Sequence, residues 1–210
     1  MMHCLRPGGL ELTRHALSFS QLGPKTRLLD IGCGNGESLA MICAEYCCQV
    51  AAIEPDEARR RQALVANPGV EIAQSLAEQL PFTTASFDIV LAECSFSLFE
   101  QPDKALAEIH RVLLPGGKLL ITDTYARGAS GICGEGMVRQ LYSVGQFRAM
   151  LTEAGFSVLH DEDCGEILKT MLGQMILDYG KEEAYRLLGL DRCAFKQAQA
   201  GYLLLVAQAV

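Results

Sequence analysis

The sequence has no run of 18 apolar residues, so no segment reads as a membrane-spanning helix. The stretch Met1-Met2-His3-Cys4-Leu5-Arg6-Pro7 lacks the basic and hydrophobic regions of a secretory signal, which points to the cytoplasm. Basic residues are also scarce: 18 Lys and Arg against 25 Asp and Glu leave a net charge of −7. That sign argues against a nucleic-acid surface, because phosphate binding draws on clustered Lys and Arg. The dense basic cluster Arg59-Arg60-Arg61 falls on a predicted helix and reads as a solvated face. Cys43 with Cys47 or Cys48 has no second Cys–Cys or His–His pair at zinc-ligand spacing to complete a site, so no metal is expected. The nine thiols are odd in number and several lie in predicted core elements, which favours reduced cysteines in a reducing compartment. With 210 residues, half of them hydrophobic, the chain can bury the core of one α/β domain.

What is present begins with Leu28-Leu29-Asp30-Ile31-Gly32-Cys33-Gly34-Asn35-Gly36. An apolar strand from Arg27 to Ile31 hands over to a glycine-rich turn, where missing Cβ atoms let the backbone bend and a ligand approach its N–H groups. Glu54 follows the apolar run Val50-Ala51-Ala52-Ile53, where a second strand would end beside a ribose. A plain surface carboxylate, capping the helix that starts after Pro55, is the alternative. A nicotinamide fingerprint needs another glycine at position 37, and Glu37 stands there.

Strand and helix signals alternate along the rest of the chain. Predicted helices span Gly9 to Leu22, Glu37 to Cys47, Asp56 to Val65, Asp103 to Leu114 and Ser143 to Ala154, the last capped by Ser143 and stopped by Gly155. Predicted strands span Val70 to Ala73, Phe87 to Glu93, Lys118 to Asp123, Phe156 to His160 and Tyr202 to Ala207. Apolar strands between helices imply a mostly parallel sheet covered on both faces. From Cys164 to Gly189, Ile167, Leu168, Met171, Leu172, Met175 and Ile176 recur at helical spacing. One or two extra helices should pack there over an edge or mouth of the sheet. They read first as a structural cap; a substrate-pocket wall or a homodimer surface are the alternatives.

The G-x-G-x-G turn with Asp30 in its strand is joined by Ala77-Glu78-Gln79-Leu80-Pro81-Phe82, by Ser86-Phe87-Asp88-Ile89-Val90, and by a helix ending in Leu114-Pro115-Gly116-Gly117 before Lys118 to Asp123. In this order the motifs resemble class I S-adenosylmethionine-dependent methyltransferases, similar to the ubiquinone and menaquinone C-methyltransferases. The resemblance is strong over residues 26 to 123 and weaker from Phe147 to Phe156. It implies a Rossmann-like doubly wound sheet of seven strands, with the last antiparallel and inserted between the fifth and sixth. It divides the chain as one domain: an N-terminal lid helix (1–25), a core (26–163), an inserted helical cap (164–199) and the last strand (200–210).

The same resemblance implies the donor, S-adenosylmethionine, the product, S-adenosylhomocysteine, and a small-molecule acceptor. Gly32, Cys33, Gly34, Asn35 and Gly36 would approach the methionine part, Asp30 would orient it, and Glu54 and Pro55 would border the ribose. Relatives commonly place Asp before the Ala-Glu pair to read the adenine amino group; Leu76 stands there instead, leaving the Ala77 N–H and a replacement acceptor from Glu78 or Gln79. Glu93 and Cys94, ending the fourth strand, would lie near the transferred methyl with Ser95 on the substrate side. An Asn/Asp-Pro-Pro-aromatic motif is absent at this point, which lowers an amino-group substrate. Glu93 and Tyr125 are the candidate bases. Arg6 is placed near the cofactor carboxylate, and the glycine-rich stretch from Thr124 to Leu141, with Tyr125 and Cys133, as a substrate loop. Cys94, Cys133 and Cys164 could gather a soft metalloid or thiol, as in enzymes resembling arsenite methyltransferases, although their spacing differs. A binding protein that keeps the fold without turnover is the alternative outside enzymology.

Overall fold

A computed structural model describes residues 6–132 and 138–210. After helix α1 (Gly9–Ser18) the chain alternates through β1 (Arg27–Ile31), α2 (Glu37–Glu45), β2 (Gln49–Ile53), α3 (Glu57–Ala66), β3 (Glu71–Ala73), β4 (Phe87–Glu93), α4 (Pro102–Val112) and β5 (Leu113–Tyr125). A short ladder of β6 (Gly131–Ile132) and β7 (Gln140–Leu141) precedes α5 (Val144–Glu153) and β8 (Phe156–Asp163). Helices α6 (Gly165–Tyr179), α7 (Lys181–Leu187) and α8 (Arg192–Gln197) then lead to β9 (Gly201–Ala209).

The large sheet has seven strands in the order β3-β2-β1-β4-β5-β9-β8. Strand β9 runs antiparallel to both neighbours, so the last strand is inserted as the resemblance implies. Strand alternation sorts the core into two layers. Leu29, Val90, Ile121 and Leu205 face Leu106 and Ile109 of α4 and Phe147 and Leu151 of α5. On the other face, Leu28, Leu91, Leu120 and Val206 meet Leu17 of α1 and Met41 and Ile42 of α2. Both faces are thus dry, and the ligand-competent edge is left at the carboxyl ends of the parallel strands.

Several boundaries move for identifiable reasons. The predicted helix from Asp103 ends at Val112, and Leu113 already pairs with Phe87. Strand β5 therefore takes in the Pro-Gly-Gly bend, after which the register resumes at Lys118 opposite Ile89. Strand β8 runs three residues beyond His160 because β9 continues to pair with it as far as Asp163 opposite Leu203. The Ser143 cap is a full capping box, Ser143 and Gln146 satisfying each other's backbone donors. Two helices occupy Cys164 to Gly189 as expected; the third, α8, lies beyond the periodic stretch and is capped by Asp191, whose carboxylate accepts from the Ala194 N–H at 2.7 Å.

Candidate active site

The turn after β1 passes through three left-handed glycines, with φ of 76° at Gly32, 58° at Gly34 and 83° at Gly36. At Gly36 a Cβ would lie 2.4 Å from Asn67 Nδ2, and that amide holds the turn by donating to the Gly36 and Ala63 carbonyls at 3.0 Å each. The Gly32 and Cys33 N–H groups donate to the Ile53 carbonyl at 2.9 and 3.1 Å, which fastens the turn to the end of β2. Glu54, buried, completes the frame: Oε2 accepts from the Gly34 N–H at 2.8 Å and Oε1 from the Asp56 N–H at 2.9 Å. The turn and this carboxylate therefore form one hydrogen-bonded unit.

Asp30 lies buried under the turn, and its Oδ2 has no hydrogen-bond partner among the described residues. Burial first, then the proximity of Glu93, pushes its pKa up to about 8, with Glu54 adding and Arg6 opposing. Glu93, at the end of β4, is saturated with donors. Its carboxylate accepts from Thr13 Oγ1 at 3.0 and 3.2 Å, from Ser38 Oγ at 2.9 Å and from the Arg6 guanidinium. Arg6 also donates to Thr13 Oγ1 at 2.8 Å and to Ser38 Oγ. One carboxylate thus ties the N-terminal segment, α1, α2 and β4 together, and a base so occupied is poorly suited to take a further proton.

Other expected residues scatter around this centre. Ala77 is buried and Leu76 is exposed, while the Glu78 Oε1 already accepts from the Glu100 and Gln101 N–H groups at 2.8 and 3.1 Å ahead of α4. The Ser95 side chain is buried beside Gly32, where a Cβ would meet it at 3.0 Å, and its Oγ has no partner among the described residues. Tyr125 does not line the cavity described below. Its ring is buried, the Arg127 guanidinium lies 5.5 Å from the ring centroid, and its hydroxyl accepts from Arg127 Nε at 3.0 Å. Arg127, itself paired with Asp163, holds the phenol oxygen. Cys133 lies outside the described residues. Cys164 is buried where β8 passes into α6, its N–H donating to the Tyr202 carbonyl at 2.7 Å.

Beside Glu93 the chain turns at Cys94, which has a φ of 50°, a strained value for a residue with a Cβ. Its N–H donates to the Thr122 carbonyl at 2.7 Å and its sulfur lies 2.8 Å from the Tyr202 hydroxyl. Burial pushes both the Cys94 thiol and the Tyr202 phenol up, so each stays protonated near neutral pH. Asp123, one strand over, accepts from the Ser97 N–H at 2.8 Å and the Thr124 N–H at 2.7 Å, while burial raises its pKa.

These residues floor a cavity that is open on one side. Leu168, Met171 and Leu172 of α6 form one wall, with Leu188, Leu190 and Phe195 beyond, and Val138 and Pro7 close the rim. Residues of the helical insertion therefore line this cavity. Asp123 and Tyr202 were missed as site residues; the strand-end rule could have found Asp123, whereas Tyr202 needed the antiparallel register. Thr13 and Ser38 carry no sequence signal. Among the described residues no group of three or more His, Cys, Asp or Glu could hold a metal, and no helix is long and apolar enough to cross a membrane.

Comparison with known proteins bears on this arrangement. A methyltransferase domain family matches residues 29–121. An O-methyltransferase of Pyrenophora dematioidea is 30% identical over 216 residues, covering 95% of this chain and 81% of that protein. The uncharacterized methyltransferase YodH of Bacillus subtilis (strain 168) is 31% identical over 188 residues, covering 88% and 73%. Among solved structures, phosphoethanolamine N-methyltransferase 2 of Haemonchus contortus in complex with S-adenosyl-L-methionine superposes with a TM-score of 0.77 at 20% identity, covering 99% of this chain and 54% of that one.

Proposed function

Because the chain belongs to the class I S-adenosylmethionine-dependent methyltransferases and is an enzyme of that family, we propose that it methylates a small-molecule acceptor held under the α6 wall, with the donor seated between Asp30, the Gly32–Gly36 turn and Glu54. The single observation that carries the reading is the unpartnered, buried Asp30 Oδ2 beneath a turn of left-handed glycines. Such an oxygen suits an α-ammonium, and the cradle suits a ligand that must approach backbone closely.

When bound, S-adenosylmethionine supplies an electrophilic methyl group on a cationic sulfur. Asp30 would hold the ammonium, and the backbone of Gly32, Cys33, Gly34, Asn35 and Gly36 would hold the methionine part. Glu54, held by the Gly34 and Asp56 N–H groups, would accept from the ribose hydroxyls with its remaining lone pairs, beside Pro55. Ala77 offers backbone to the adenine, while Glu78 remains a partner of the Glu100 and Gln101 N–H groups. Glu93 acts as an anchor that keeps Arg6 and α1 closed over the site and excludes water, and Arg6 presents positive charge towards the cofactor carboxylate. Cys94 and Ser95 border the space between donor and acceptor. Alignment and desolvation are the chief requirements of an in-line displacement, and the closed wall supplies both.

The test is calorimetric titration with S-adenosylhomocysteine, alongside NAD and a Glu54→Ala variant. Saturable binding of S-adenosylhomocysteine, weakened about 10- to 100-fold in the variant, with no binding of NAD, is expected. Absence of binding by the folded wild type would refute the reading.

A further inference from the structure

The cavity differs in character from the cofactor cradle. Its walls are aliphatic or aromatic, and no Lys, Arg or His lines it among the described residues. Its polar groups are confined to the floor, where the Cys94 thiol and Tyr202 phenol are already paired with each other at 2.8 Å and Thr124 flanks Asp123. Asp123 is the group with acceptor capacity there: Oδ1 accepts from the Thr124 N–H at 2.7 Å and the Thr124 hydroxyl at 3.2 Å, whereas Oδ2 accepts from the Ser97 N–H at 2.8 Å and has room for a second donor. A carboxylate-bearing or phosphorylated acceptor would meet an acidic floor with no counter-charge and would lose its hydration without replacement. A polyol would leave most of its hydroxyls against leucine and methionine.

Resting on the methyl-transfer reading, we infer that the α6 pocket takes an uncharged, largely apolar acceptor carrying one hydrogen-bond donor, a hydroxyl or a thiol, which it presents to Asp123 on the cavity floor. The three α6 side chains set this preference. Leu168, Met171 and Leu172 lie one helical turn or less apart and cover the acceptor's apolar body, with the flexible Met171 allowing some variation in shape. Specificity for bulk therefore resides in the insertion, and specificity for charge and for the reacting group in the strand ends.

The experiment compares two matched probes, 2-naphthol and 2-naphthoate, on protein saturated with S-adenosylhomocysteine at pH 7, followed by titration calorimetry. Expected is 2-naphthol binding tighter by about tenfold or more, since the anion must be buried beside a carboxylate. Leu172→Arg should shrink or reverse that ratio, and Met171→Arg serves if the first variant no longer binds S-adenosylhomocysteine. Equal or tighter binding of the carboxylate by the wild type, or no measurable 2-naphthol binding, would overturn the inference and leave the methyl-transfer reading standing. Failure of S-adenosylhomocysteine itself to bind would overturn both.

Discussion

Replacing Asp30 by Asn should uncouple the stability of the protein from pH and remove a proton from its binding reaction. Burial, with Glu93 nearby, raises the Asp30 pKa to about 8 against an ordinary value of 3.8. The folded protein therefore holds a proton from roughly pH 4 to pH 8 that the unfolded chain has lost, so stability falls as pH rises through that window and levels off above it. At pH 7 the proton taken up on folding costs roughly 4 kcal/mol, about three pKa units at 1.36 kcal/mol each. Asn needs no proton, so urea denaturation should show a variant more stable by up to about that amount and a shallower profile from pH 5 to 8. Ligand binding runs the same titration backwards. An ammonium at Oδ2 favours the carboxylate, and a group with a pKa of about 8 is about 90% protonated at pH 7, so S-adenosylhomocysteine should release close to ~0.9 proton per site. Calorimetry in buffers of different ionisation enthalpy measures that number. Wild-type enthalpies independent of buffer, or an Asp30→Asn protein with the wild-type pH profile, would refute the reasoning.

Gly36→Ala should destabilise by about 2–4 kcal/mol, because it combines a left-handed φ with displacement of the Asn67 amide from two carbonyls; a thermal melt within 1 °C of wild type would contradict this. Arg6→Ala leaves the buried Glu93 with hydroxyl donors alone, for a loss of about 3 kcal/mol in chemical denaturation, and Arg6→Ala combined with Glu93→Gln should recover part of it. Tyr125→Phe should keep kcat within about threefold of wild type, since the phenol is held by Arg127 away from the cavity; a hundredfold loss would restore it as a catalytic group.

Local signals were the most legible. Arg27–Ile31 and Phe87–Glu93 are strands with the bounds their apolar runs indicate, and Ser143 caps its helix because a Ser followed three residues later by Gln carries its own geometry. The glycine turn and Glu54 come together because both sit at the ends of neighbouring parallel strands, a placement that follows once strand order is granted. Long-range partnerships were not legible. Nothing local marks Thr13 and Ser38 as donors to Glu93, and the Cys94–Tyr202 contact joins residues 108 apart through the antiparallel β9. Tyr125 was expected on the loop after the fifth strand, whereas β5 runs through it and Arg127, two residues on, donates to its hydroxyl. The helical periodicity of α6 was visible, while the face it would cover depended on where β8 and β9 placed its two ends.

Those two ends are neighbours. Strands β8 and β9 are hydrogen-bonded down to Asp163 opposite Leu203, and the Cys164 N–H closes the last rung on the Tyr202 carbonyl. In topological terms α6, α7 and α8 are the loop of an oversized β-hairpin, leaving and rejoining the sheet at one point. Because closure entropy grows only with the logarithm of loop length, residues in that loop can be lengthened, shortened or exchanged at little cost to the sheet beneath. On the proposed reading the wall of the acceptor pocket is thus separable from the cofactor cradle, and a library confined to the hairpin loop would vary what is methylated while leaving the donor's frame in place.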